Sequence, residues 1–182
     1  MIDVDINRND APSRRRPIEV GLVLPQIEGM MEEQTARWND LAAKARLAED
    51  AGFDSLWTID HFLLDGLREP GRKEGLWECW SLLSALAAST ERAKLGTLVS
   101  ATSFRNPALL AKIADTVDEI SSGRLILGLG SGWYDPEHTA FGYPFDHRVG
   151  RFEEALNILL PLLRDGHVDF SGTYYSYSAT SH

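Results

Sequence analysis

With 182 residues and 43% hydrophobic content, the chain carries enough apolar material for one folded domain and too much for a disordered segment. Its 27 acidic and 18 basic side chains give a net charge of −9, which repels phosphate backbones and anionic lipid and argues against nucleic acid or membrane as partners. The single cysteine, Cys79, cannot close an internal disulfide, and no apolar run reaches the roughly 20 residues of a bilayer span or resembles a signal peptide, so a cytoplasmic location is expected.

Residues 1–16 are polar, include the triplet Arg14, Arg15 and Arg16, and read as a loose, solvated tail. Residues 18–24 (IEVGLVL), closed by Pro25, form a short apolar run expected to be a buried strand. From Thr35 the period becomes helical, with Trp38, Leu41, Ala45 and Ala48 on one face and Gly52 in the place of a left-handed cap. A second strand, 53–59 (FDSLWTI), leads into Asp60-His61-Phe62. Residues 63–75 read as a surface loop and 76–89 as a second helix with a stripe through Trp80, Leu83 and Ala87, which makes Cys79 mid-helix filler.

The third strand is 94–99 (KLGTLV), and Asn106-Pro107 supplies an N-cap and a first-turn proline for a helix running to Ile120. Ser121-Ser122-Gly123 stops it, and 124–130 (RLILGLG) forms a fourth strand ending among glycines. Asp146 is placed to cap a last helix with the stripe Phe152, Ala155, Leu156, Leu159 and Leu163, kinked at Pro161. Residues 168–177 (VDFSGTYYSY) alternate around Gly172 as a hairpin does. Four strand–helix alternations without hairpins between them predict an α/β protein with parallel strands and right-handed crossovers. A complete eight-stranded barrel takes about 250 residues, so four βα units account for half of one.

In βα repeats, reactive groups gather where the strands end and the loops leave the sheet. Those ends are Pro25-Gln26, Asp60-His61, Ser100-Ala101-Thr102 and Ser131-Gly132-Trp133. The series Gly128, Gly130, Gly132 lacks the G-x-G-x-x-G spacing because Trp133 and Asp135 stand where glycine is needed. Its glycines either relieve crowding at a strand end or admit a ligand to bare backbone. His138, His147 and His167 fall on loops or a helix end without paired spacing, so no metal is expected.

Together, residues 51–57 (AGFDSLW) with Asp60-His61-Phe62, 95–97 (LGT) with 104–112 (FRNPALLAK), 122–124 (SGR) with 127–133 (LGLGSGW), Phe141-Gly142 and 151–156 (RFEEAL) resemble the bacterial luciferase-like monooxygenase family, including its deazaflavin-dependent members. The resemblance covers residues 17 to about 175. It implies a TIM-type (β/α)8 barrel, here about its first four βα units over residues 17–182, and hydride transfer or oxygenation of a small organic substrate. The implied cofactor is coenzyme F420, preferred, or FMN. It also implies a non-prolyl cis peptide at Leu98-Val99 beneath the ring, with cofactor contacts at Asp60, His61, Leu98, Val99, Ser100, Ala101, Ser131 and Gly132, and His61 assisting proton movement.

The resemblance has departures. Sugar-phosphate-oxidising members carry a glutamate where Trp133 stands, and Tyr134 replaces a common asparagine, which points to an apolar or planar substrate. The late strands whose loops commonly bind cofactor phosphate in such barrels lie outside these four units. A half barrel leaves open edges, so a homo-oligomer or a complementary half is expected. The alternative reading is a catalytically silent half barrel acting as a binding or assembly module.

Overall fold

A computed structural model describes residues 18–31, 34–66 and 69–180; the tail expected over 1–16 lies outside them. The order is β1 (Gly21–Val23), α1 (Trp38–Asp50), β2 (Ser55–Thr58), β3 (Leu64–Asp65), β4 (Lys73–Glu74), α2 (Cys79–Ser89), β5 (Lys94–Thr97) and β6 (Ser100–Ala101). A 3-10 turn (Thr102–Phe104), α3 (Pro107–Ser121), β7 (Leu125–Ile126), β8 (Leu129–Gly130), α4 (Asp135–Phe141), α5 (Arg148–Asp165), β9 (His167–Ser171) and β10 (Ser176–Thr180) follow.

Strands β1, β2, β5 and β7 pair in parallel in that order, as the alternation of elements predicts. The register aligns Leu22 with Leu56, Leu56 with Leu95 and Leu95 with Leu125, so one layer of leucines faces the helices. Leu56 and Leu95 are fully buried there, against Leu41, Leu83, Leu86 and Leu110. In the next register position Trp57 stands beside Gly96. A Cβ on Gly96 would run into the Trp57 ring, so glycine is what lets the indole cross the sheet.

The third and fourth strands each continue past an interruption. The Leu98–Val99 peptide is cis, and beyond it β6 pairs with β8 through Ser100–Leu129 and Ala101–Gly130. Asn106 caps α3 by accepting from Ala108 N and Leu109 N, and Ser122 and Gly123 end that helix at positive φ, as the sequence predicts. The closing hairpin is present as β9 and β10.

Four local expectations are corrected. The 63–75 loop contains the antiparallel pair β3–β4, too short for alternation to be visible in the sequence. Cys79 opens α2 instead of sitting inside it, and the Glu78 carboxylate caps that helix by accepting from Trp80 N and Ser81 N. Asp146 does not cap α5: its carboxylate holds Arg151, and His147 occupies the cap position at φ 47 without a side-chain cap. The fully buried face of α5 is Ala155, Ile158, Leu159 and Leu162, so Phe152, Leu156 and Leu163 lie at its margin. Between β8 and α5, residues 135–141 add the short helix α4, for which no element is predicted.

Buried carboxylates tie the helices to the loops. Glu49 of α1 accepts from Glu91 N (3.1 Å), Arg92 N (2.7 Å) and Ala93 N (2.7 Å). Burial pushes its carboxyl upward, but the three N–H groups and the Arg92 charge outweigh that and bring it below the ordinary 4.5. Glu78 and Glu154 are likewise lowered: burial raises each, and backbone N–H donors with Arg105 or Arg151 more than offset it. A carboxylate lowered in the native state stabilises the fold above its unfolded value, and that contribution disappears as pH falls through 4.5 and beyond. Urea midpoints are therefore expected to be flat from neutral pH down to about pH 5 and then to drop, with Glu49→Gln showing a shallower acid limb.

Candidate active site at the strand ends

The end of β1 sets the site by holding the end of β2. The fully buried Gln26 donates from Nε2 to Ile59 O (2.8 Å) and Trp77 O (3.1 Å), while its Oε1 accepts from Ile59 N (2.8 Å). An amide satisfied on both sides leaves the chain at Ile59 little freedom, and Asp60 and His61 follow at once.

Asp60 is 3% exposed, and both of its oxygens are engaged. Oδ2 accepts from Ser100 Oγ (2.9 Å), Ala101 N (3.1 Å) and Arg105 Nη1 (2.6 Å), and Oδ1 accepts from Arg105 Nη2 (3.0 Å). Arg105 also donates to Glu78 Oε1 (2.7 Å), and Ser100 Oγ accepts from Trp80 Nε1 (3.1 Å). This network joins the end of β2, the start of β6 and the N-terminus of α2. Burial pushes the Arg105 guanidinium down, but Asp60 first and Glu78 second hold it above its ordinary value. Burial, with the Asp60 charge next, pushes the Cys79 thiol up, which makes it a poor nucleophile.

His61 pairs through Nδ1 with Glu137 Oε2 at 2.8 Å. Glu137 is fully buried, and its Oε1 accepts from Phe62 N and from Leu63 N (2.8 Å). Its carrier, α4, has a proline in the first turn and Gly142 at φ 72 as its left-handed cap. Trp133 meets the His61 ring edge-on at 5.6 Å and 78°.

A cavity of about 150 Å³ opens between these groups, lined by Asp60, His61, Leu98, Val99, Ala101 and Gly132, with Phe104, Trp133 and Glu137 completing the wall. Leu98 is 48% exposed, Val99 44% and Trp133 65%, so the mouth presents an apolar surface beside one imidazole. Next to it, a cavity of about 530 Å³ is lined by Ser131, Arg148, Gly150 and Tyr174, and Arg148 Nη1 donates to Gly132 O (2.9 Å). A third, more apolar groove around Trp38 and Trp77, about 440 Å³, is lined by residues of α1 and α2; its one carboxylate, Glu78, is engaged by Arg105. Among the described residues, no cluster of His, Cys, Asp and Glu could hold a metal.

Residues 18–181 match the pattern of the luciferase-like monooxygenases. The chain belongs to that family. An F420-dependent glucose-6-phosphate dehydrogenase of Amycolatopsis mediterranei (strain U-32) is 39% identical over 142 residues, which cover 75% of this chain and 41% of that protein. A monooxygenase from Streptomyces bottropensis superposes at TM-score 0.72 with 25% identity, over 90% of this chain and 48% of that one. The oxygenating constituent of 3,6-diketocamphane monooxygenase from Pseudomonas putida, in complex with FMN, superposes at TM-score 0.71 with 22% identity, over 88% and 43% of the two chains, a likeness of fold. This luciferase-like chain thus spans 41% of the length of the curated relative named here.

In this luciferase-like chain, six of the eight residues singled out from the sequence line the smaller cavity at the strand ends: Asp60, His61, Leu98, Val99, Ala101 and Gly132. Ser100 lies fully buried behind it, spent on Asp60 and Trp80, and Ser131 faces the larger neighbour. A Cβ would crowd a neighbour at each of the three glycines, and Gly132 also lines the cavity. A Cβ on Gly128 would strike Thr97 O and one on Gly130 would come within 2.7 Å of Val99 Cγ2, so these two relieve crowding. Gly132, at φ 76, lines the cavity with bare backbone and backs onto His138 Nε2 and Ser103 Oγ. His138 is in the last turn of α4, fully buried, and donates from Nδ1 to Pro144 O (2.9 Å).

Sequence reasoning passed over Glu137, Glu78 and Arg148 as site-forming residues, and Arg105 entered only inside a motif. The available signals were Pro136 and Gly142 bracketing a short helix, and Arg105 immediately before the Asn106-Pro107 helix start.

Proposed function

We propose that the chain forms the ring-binding part of an oxidoreductase that transfers hydride to or from, or oxygenates, a small organic substrate, with coenzyme F420 as the preferred cofactor and FMN as the other. The observation that carries this reading is the cavity at the strand ends, where an exposed apolar surface adjoins a single imidazole and a bare glycine backbone. These residues suit a planar ring. Leu98, Val99 and Trp133 offer flat apolar area, Gly132 allows close approach, and both buried carboxylates are already occupied by Arg105 and His61. When bound, a deazaflavin or flavin supplies the two-electron chemistry, which no side chain here can supply.

F420 is favoured because the relative at 39% identity is F420-dependent. The larger cavity suits a phosphate-bearing tail, since Arg148 and the N-terminus of α5 face it beside Ser131. Trp133, exposed beside His61, favours an apolar or planar substrate over a sugar phosphate. Closure of the parallel sheet into a TIM-type barrel belongs to the same reading, as does association with a second copy or a complementary partner. The exposed Ile18, Val20 and Val23 beside the open edge of β1 support association. Light scattering is expected to report a species larger than one chain, and a monodisperse monomer would count against it.

The deciding experiment is fluorescence titration of the purified chain with F420 and with FMN. Saturable binding, tighter for F420, is expected. Binding of neither cofactor would overturn this reading in favour of a silent module.

A further inference from the structure

We propose that Glu137 is a positioning residue that holds His61 in the Nδ1–H tautomer, so that Nε2 is the atom at which a proton is taken up and returned in the cavity. The catalytic half of this proposal rests on the cofactor reading above; the tautomer half does not.

The geometry assigns the roles. Glu137 Oε2 lies 2.8 Å from His61 Nδ1, while Oε1 accepts from the backbone N–H groups of Phe62 and Leu63. An ionised carboxylate only accepts, so the proton shared with His61 resides on Nδ1. A neutral imidazole with Nδ1 protonated carries its lone pair on Nε2. Among the described residues no hydrogen-bond partner of Nε2 is found, and the His61 side chain is 17% exposed where it lines the cavity. Positive charge gained at His61 by uptake of a proton then faces the buried carboxylate across a single hydrogen bond. The same carboxylate fixes the ring's orientation through three donors from consecutive residues, so the imidazole and the loop that carries it are held as one unit.

Glu137→Gln separates this role from a structural one. The amide oxygen introduced by that substitution can continue to accept from Phe62 N and Leu63 N, while the new NH₂ group donates to His61 Nδ1 and drives the proton to Nε2. The 15N spectrum of the histidine nitrogens, recorded on the full chain without cofactor, is expected to show protonated Nδ1 and bare Nε2 at His61 in the wild type and the reverse in E137Q. In the cofactor-loaded protein, kcat is expected to fall by about a hundredfold while cofactor Kd changes by less than about threefold. A wild-type spectrum with bare Nδ1, or an unchanged kcat in an E137Q protein whose tautomer has switched, would overturn the proposal. Should E137Q not fold, the wild-type spectrum still decides the tautomer. If no F420 or FMN binds the wild type, the cofactor reading fails while the spectrum continues to test Glu137.

Discussion

Asp60→Ala is expected to cost about 3–5 kcal/mol of folding stability, read as a lower urea midpoint with little change in slope. Asp60 is almost fully buried, and it neutralises an Arg105 guanidinium whose side chain is only 10% exposed. Removing the carboxylate leaves that cation with Glu78 alone, and Glu78 is 38% exposed and already caps α2. The Ser100 hydroxyl and the Ala101 N–H lose their acceptor in the same change. Asp60→Asn keeps the shape but exchanges a charge for a dipole, so an intermediate loss is expected. Replacing both partners, Asp60→Leu with Arg105→Met, is expected to cost less than Asp60→Ala alone, because no buried charge is then left unpaired. A loss below about 1 kcal/mol for Asp60→Ala would show that the network is solvated and contributes little.

The second large effect concerns turnover. His61→Ala is expected to lower kcat by about 10²–10⁴-fold, the range for losing a positioned acid–base group, while melting temperature changes little. The side chain sits at the cavity wall, and among the described residues its hydrogen bond is the one to Glu137, so its removal leaves the core intact. Glu137 retains Phe62 N and Leu63 N as donors in the variant, so the loop keeps its anchor. Comparing F420 binding between wild type and variant separates ring contact from proton chemistry. A variant with full kcat would remove His61 from the reaction, and equally weak cofactor binding by both proteins would undercut its contact with the ring.

Asp60 shows what position along the chain leaves open. It ends a strand at the cavity, and from the sequence it belongs with the cofactor contacts. In the fold it lines the cavity, yet its oxygens are committed to Ser100, Ala101 and Arg105. Sequence order shows that a polar residue arrives at the strand end but not how many donors meet it there. Glu137 shows the converse: it lies 76 residues from His61, on a helix of seven residues too short to display a period, and only the packing of α4 onto the loop after β2 joins the two.

Composition, period and turn chemistry by themselves determined the order of the four parallel strands and of α1, α2, α3 and α5, the Asn106-Pro107 helix start and the strand ends bearing Asp60, His61 and Gly132, because these depend on neighbours within a few residues along the chain. Tertiary structure alone decided the β3–β4 hairpin, the Glu78 cap, the Asp60–Arg105–Glu78 network, the Glu137–His61 pair and the different duties of Gly128, Gly130 and Gly132. Each of these is a matter of hydrogen-bond satisfaction or steric room between segments brought together only when the sheet forms, and a local pattern carries no record of such partners.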